Sequence, residues 1–170
     1  MPSYTTLLEE ALDAWEDARL GALEEARNIP AEHWDFRPTP DVRSVRELVV
    51  HILEVAMFMT AELTRPDTDF RRAPFADLLA QYAKPAYAAS TRDELLDLMQ
   101  SQLIDGVAAF RAAGELHMLQ FIKRFDGELG TRLAWLHHGI AQEMYHRGQL
   151  TTYARLLGIE PALTKRIRGE

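Results

Sequence analysis

The side chains best able to do chemistry cluster near the C-terminal end of the chain, at helical spacing. At about 100° per residue, Trp135, His138, Gln142, Tyr145, His146, Gln149, Tyr153 and Leu156 share one side of a helix and carry no formal charge. This uncharged stripe is expected to face the interior. Buried imidazoles and amides need partners, because each unsatisfied polar group costs about 1–3 kcal/mol; a metal ion or a polar cavity supplies them. Gln142 and His146 are four residues apart, so their side chains can reach one point. His138 stands eight residues before His146, about 12 Å along the axis, and belongs in the pocket rather than on the same ion.

The opposite side of this helix mixes Leu133, Leu136, Ile140 and Met144 with Arg132, Glu143, Arg147 and Arg155. It is expected to be a half-exposed surface or a dimer contact, with the contact preferred. Arg147 should pair with a carboxylate, Gly148 should permit close helix packing, and Trp135 and Tyr145 should line the core or a pocket.

A second candidate lies far upstream. His51 sits at the edge of the apolar stripe Leu48, Ile52, Val55 and Met59, with Glu47 and Glu54 close by on the same helix. Such a histidine can turn inward while a neighbouring carboxylate orients its second nitrogen. From spacing alone, a structural histidine and a ligand both remain open.

The elements that must position these residues are helices. Thr6 with Glu9, Ser44 with Glu47 and Thr91 with Glu94 are three capping boxes, each followed by apolar residues at steps of three and four. They predict helices ending near Asn28, Thr64 and Gly114. Pro30, Pro38 and Pro40 fall in a connection with one short turn near Ala31 to Trp34. Phe75 to Tyr82 reads as a short helix, interrupted by Pro85. A connection from Glu115 to Gly130 leads to a long helix from about Thr131 to Leu157, stopped by Gly158. No segment alternates as a strand should. Four long helices with two extended links fit an all-α four-helix bundle with crossovers.

The 170 residues fit one domain, positions 1–170. A net charge of −7 opposes a general nucleic-acid footprint, and Lys165, Arg166 and Arg168 read as a solvated basic tail. The absence of cysteine excludes disulfides, zinc fingers and a cysteine nucleophile. Acidic residues from Glu9 to Asp17 oppose a signal peptide, and no uncharged run approaches the ~20 residues of a membrane span. A cytoplasmic location is expected.

Two runs carry a resemblance. Tyr145-His146-Arg147-Gly148-Gln149-Leu150, in a helix closing on Ala154-Arg155-Leu156-Leu157-Gly158, is similar to the hallmark of the DinB/YfiT-like superfamily. Arg37-Pro38, Ser44-Val45-Arg46-Glu47-Leu48 and His51-Ile52 resemble that family's entry into its second helix. The resemblance spans essentially the whole chain. It implies a four-helix bundle in up-down-down-up order, often a homodimer, with a divalent metal (nickel or zinc) held by three histidines. His51 matches the first ligand and His146 the last. The middle position is Gln142, a departure, since an amide oxygen is a weaker donor than imidazole toward these metals. Glu143 is the alternative third ligand, but it lies off the uncharged stripe.

The resemblance further implies a thiol-dependent transferase or isomerase acting in stress or detoxification. A low-molecular-weight thiol such as bacillithiol or mycothiol would be one partner and an electrophile the other. His138 or Tyr145 would then shuttle a proton. The competing expectation is a non-catalytic, stress- or DNA-damage-induced bundle acting through a partner or ligand. A metal-free hydrolase is distant, because no nucleophile elbow or phosphate loop is present.

Overall fold

The computed structural model describes residues 5–169. Its long helices are α1 (Leu7–Asn28), α2 (Val45–Thr64), α5 (Arg92–Ala113) and α7 (Arg132–Leu156). Between α2 and α5 lie α3 (Phe75–Tyr82) and α4 (Lys84–Ala88); α6 (Glu115–Met118) and strands β1 (Phe121–Lys123) and β2 (Leu129–Thr131) precede α7, and α8 (Ala162–Arg168) follows it. A 3-10 turn at Ala31–His33 occupies the expected connection.

Two of the three capping boxes close on both sides. At Ser44 and Thr91 the hydroxyl accepts the N–H of Glu47 or Glu94, and the glutamate carboxylate reaches back to the cap backbone. At Thr6 only half of the box forms, because the Glu9 carboxylate instead takes the Arg111 guanidinium at 2.9 Å. Gly114 and Gly158 have φ of 80° and 74°, where a glycine ends a helix without strain. The interruption expected at Pro85 is present: α3 ends at Tyr82 and a new helix starts at Lys84, with Pro85 in its first turn, where a missing N–H costs nothing.

Cross-helix contacts give the directions. Trp15 and Arg19 meet Glu143, while Gly21 meets Arg147, so α1 and α7 run parallel. Glu9 pairs with Arg111 and Arg19 with Gln102, so α5 opposes α1. His51 stands against His146 and Leu63 against Arg132, so α2 opposes α7. The order is up-down-down-up. One apolar cluster, including Leu12, Trp15, Met59, Leu63, Phe110 and Leu136, fills one end of the bundle. A second, including Ala26, Val49, Ile52, Leu95 and Leu150, fills the other.

Three expectations are corrected. A hairpin exists: β1 and β2 pair antiparallel with Ile122 opposite Gly130. Its strands of three residues are too short to show alternation. The basic tail is not merely solvated but forms α8, whose first N–H groups are capped by the buried carboxylate of Glu25. Lys165 donates to Asn28, and Arg166 pairs with Glu24.

The third correction concerns the rotation of α7. Arg132, Leu133, Leu136, Glu143 and Arg147 of the mixed face are buried inside the bundle, while Met144 and Arg155 stay exposed, so most of that face is core rather than surface. Of the uncharged stripe, His146 and Tyr153 are buried, whereas His138, Tyr145 and Leu156 are exposed. Charged residues enter because α1 supplies their partners: Glu143 meets Arg19, and Arg147 pairs with Asp17 at 3.8 Å. Gly148 has open space where a Cβ would be; the close approach occurs instead at Gly21, packed under the Arg147 guanidinium.

Candidate metal centre

His51 and His146 face each other across α2 and α7, their ring centroids 5.1 Å apart and their planes at 83°. Each ring is held from behind. His51 Nδ1 donates to Glu54 Oε2 at 2.8 Å, and Glu54 Oε1 accepts the Tyr87 hydroxyl at 2.6 Å. His146 Nδ1 donates to Gln149 Oε1 at 2.6 Å. A carboxylate and an amide oxygen only accept, so they draw the ring proton to Nδ1 and leave the lone pair on Nε2. Neither Nε2 has a hydrogen-bond partner among the described residues. This is the arrangement by which outer groups fix a metal-ligating imidazole.

Electrostatics favour the neutral ring at His146. Its side chain is only 5% exposed. Burial is the main force lowering its pKa, and repulsion from His51 and Arg43 adds to it, against the Gln149 hydrogen bond. On the same relay, burial and the Glu54 hydrogen bond push the Tyr87 phenol up to about 12. Tyr87 therefore remains a donor to Glu54 across the physiological range.

Gln142 lies one turn before His146, and neither its Oε1 nor its Nε2 has a partner although both atoms are buried. With His51 it borders a cavity of about 220 Å³ that also reaches Trp135 and His138. No group of three His, Cys, Asp or Glu side chains is disposed to hold a metal among the described residues. Two imidazoles and one orphaned amide are the groups that could serve a divalent ion here, and their neutral N and O donors fit one. The alternative ligand Glu143 is excluded by its own bonds: Trp15 Nε1 donates to it at 2.7 Å and Arg19 clamps both oxygens.

The other sequence candidates are placed less centrally. His138 is exposed at the cavity mouth, its ring 4.7 Å from Trp135. Tyr145 does not line the core: it is 66% exposed, with its ring centroid 5.1 Å from that of His146 in an edge-to-face arrangement. Of the two carboxylates the sequence left open beside His51, Glu54 is the partner and Glu47 is not; Tyr87 behind Glu54 was missed. Sequence reasoning also missed a cleft of about 740 Å³ that includes Arg37, Arg43, Arg46, Glu54 and Gln149. The Arg43 guanidinium there has no hydrogen-bond partner among the described residues. No described helix is long and apolar enough to cross a membrane.

The chain is similar in fold to three solved structures, each at a TM-score of 0.67. A DinB-like protein of Bacillus subtilis, YjoA, is 23% identical over 88% of this chain and 92% of its own. YfiT from the same organism, described as "a probable metal-dependent hydrolase with an unusual four-helix bundle topology", is 16% identical over 94% and 93%. The mycothiol-dependent maleylpyruvate isomerase is 14% identical over 85% of this chain, which spans 61% of that longer protein. No curated protein matches. A sequence description of the DinB family, by contrast, matches residues 1–168. Together with the bundle's order of helices, that match shows that this chain belongs to the DinB family.

Proposed function

We propose that the protein is a divalent-metal-dependent enzyme that transfers or isomerises a substrate with a low-molecular-weight thiol. The carrying observation is the facing pair His51 and His146, each with Nδ1 committed to an acceptor and Nε2 left free. In this reading those two nitrogens and the Gln142 amide oxygen hold nickel or zinc. When bound, the metal supplies the positive charge that lowers the pKa of an incoming thiol. The chain has no cysteine, so the nucleophilic sulfur arrives with a small molecule such as bacillithiol.

The protein's own groups do the rest. Glu54 and Gln149 fix ring orientation and tautomer. The arginine-bearing cleft accommodates the polar body of a hydrophilic thiol, with Arg43 available to an anionic group. The apolar cavity takes the electrophile and excludes water from its carbon. His138, at the cavity mouth, accepts the thiol's proton and returns one to the leaving atom, with Tyr145 as the second candidate on the open side. The sulfur forms the new bond as the leaving group departs with its electron pair and takes that proton.

The test is metal content, with nickel and zinc titrations of wild-type protein and His146→Ala, followed by thiol consumption with a chromogenic electrophile. Near-stoichiometric metal that disappears in the variant, with metal-dependent thiol consumption, is the expected outcome. No binding at micromolar metal sinks this reading. The presence of Gln142 rather than a third imidazole would then favour a non-catalytic bundle acting through a bound ligand or partner.

A further inference from the structure

The cavity beside His51 is unusual in what lines it. Its walls hold four aromatic rings from four separate segments: Phe58 of α2, Phe75 of α3, Phe125 of the hairpin turn and Trp135 of α7. Phe125 stacks on Phe58 at 6.1 Å and 27°, and meets Phe75 and Trp135 edge-to-face at 5.0 and 6.1 Å. Faces and edges of opposite polarity are therefore both offered to an occupant. Phe75 and Phe125 are 42% and 37% exposed, so they stand at the opening rather than in the sealed core. At Gly139 the helix backbone itself forms part of the wall, and a Cβ there would come within 3.2 Å of Met59 Cε.

Two features narrow the occupant. No lining side chain carries a formal charge when the histidines are neutral, so a carboxylate or phosphate would be desolvated without a counter-ion. Yet one lining group is polar, buried and unsatisfied on both of its atoms: the Gln142 amide. An apolar cavity of about 150 Å³ is enough for benzene. About 220 Å³ therefore holds one ring with a substituent.

We propose that this cavity binds a single aromatic ring carrying one uncharged hydrogen-bonding substituent. The ring lies among the four aromatic side chains, and its substituent satisfies Gln142. With the amide oxygen engaged by a metal, Nε2 remains to donate to that substituent. Its role as the electrophile's site rests on the metal-dependent thiol reading; the binding itself does not.

The test is a two-dimensional amide NMR titration of the chelator-treated protein with phenol, toluene and benzoate, repeated on protein treated with diamagnetic zinc. Saturable shifts at the Gly139 amide and the Gln142 side-chain NH2 are expected with phenol. Toluene should bind about tenfold more weakly for want of the hydrogen bond, and benzoate at least as weakly in the metal-free protein. Gln142→Leu should bring phenol and toluene to parity. Gly139→Leu should weaken phenol at least tenfold by filling the space. If that variant fails to fold, Phe125→Ala, on the exposed turn, should weaken phenol severalfold with an unchanged circular dichroism spectrum. Absence of saturable phenol binding, benzoate binding to the metal-free protein as tight as phenol, or indifference of phenol affinity to the cavity variant that folds would each overturn the proposal. A protein that takes no metal but binds phenol this way breaks the metal reading alone; one that takes metal and ignores phenol breaks this one alone.

Discussion

At one level of the bundle, neighbouring residues of α7 enter two polar clusters that differ in how completely they are paired. Glu143 turns toward α1 and α5. There its carboxylate takes Trp15 Nε1 at 2.7 Å and Arg19 Nε at 2.8 Å, while Arg19 Nη1 reaches Gln102 at 2.8 Å and the Met99 carbonyl at 3.0 Å. Gln102 donates onward to Thr60. Gln142 and His146 turn toward α2, where the amide has no partner and two imidazoles present unpaired Nε2 atoms. The first cluster is complete in itself, as a structural network must be when it is buried. The second is satisfied only on its outer side. Unequal pairing is what distinguishes architecture from a site waiting for a ligand.

The largest effect should come from breaking the complete cluster. Glu143→Leu leaves the Arg19 guanidinium buried without its counter-charge, and loss of one partner from such a pair costs about 3–5 kcal/mol. Urea unfolding should show a correspondingly lower midpoint. Adding Arg19→Met should recover most of the loss, because a well-packed apolar pair replaces an ion pair at little cost. If the single variant is as stable as wild type, the network does not have the structural role assigned to it.

Within the open cluster, Glu54→Gln tests the support behind His51. An amide in place of the carboxylate weakens the hold on Nδ1, and outer-group changes of this kind lower metal affinity by about 10–100-fold. Nickel titration reads the change. An unchanged affinity would mean that His51 needs no orientation, or holds no metal.

Gln142 should respond with the opposite sign to Glu143. In metal-free protein its two unpaired atoms are a burden, so Gln142→Leu should stabilise the fold by about 1–2 kcal/mol. Urea unfolding in chelator checks this. A destabilised variant would show that the amide has a partner in solution, and the contrast between the two clusters would fail.

This contrast also explains how far the sequence could be read. The caps at Ser44 and Thr91, the stop at Gly158 and the pairing of His51 with His146 were legible, because caps are local and the two motif runs are distinctive. The rotation of α7 was not. An uncharged stripe is the reasonable interior by composition, yet Glu143 and Arg147 are buried because Arg19 and Asp17 wait for them on a helix more than a hundred residues away. Periodicity within one helix carries no record of such a partner. The hairpin was hidden for a different reason: its turn uses Gly127 at φ 89°, but three-residue strands offer no alternation to recognise. It nevertheless brings Phe125 to the cavity, so an element invisible to pattern reading completes the wall of the site.

The smallest effect concerns the far end of the relay. Tyr87 donates to the Glu54 oxygen that His51 does not use, so Tyr87→Phe should weaken metal binding less than Glu54→Gln does, by about severalfold within the range for outer groups. A pH titration supplies a second, independent reading. Burial first, and then the hydrogen bond to Glu54, raise the phenol from its ordinary 10.0 to about 12. The unfolded chain therefore releases this proton before the folded protein does. The stabilisation from the protonated phenol is complete below pH 10.0 and is lost as pH rises toward about 12. Because the ring is half-exposed, solvent screening keeps the contribution to stability small. Phenolate absorbance is the better observable: near pH 11, between those two values, wild type and Tyr87→Phe should differ little, and a full phenolate's difference should emerge only at higher pH. Full ionisation of Tyr87 near pH 10.0 would mean that its hydroxyl does not hold Glu54, and the carboxylate would orient His51 unaided.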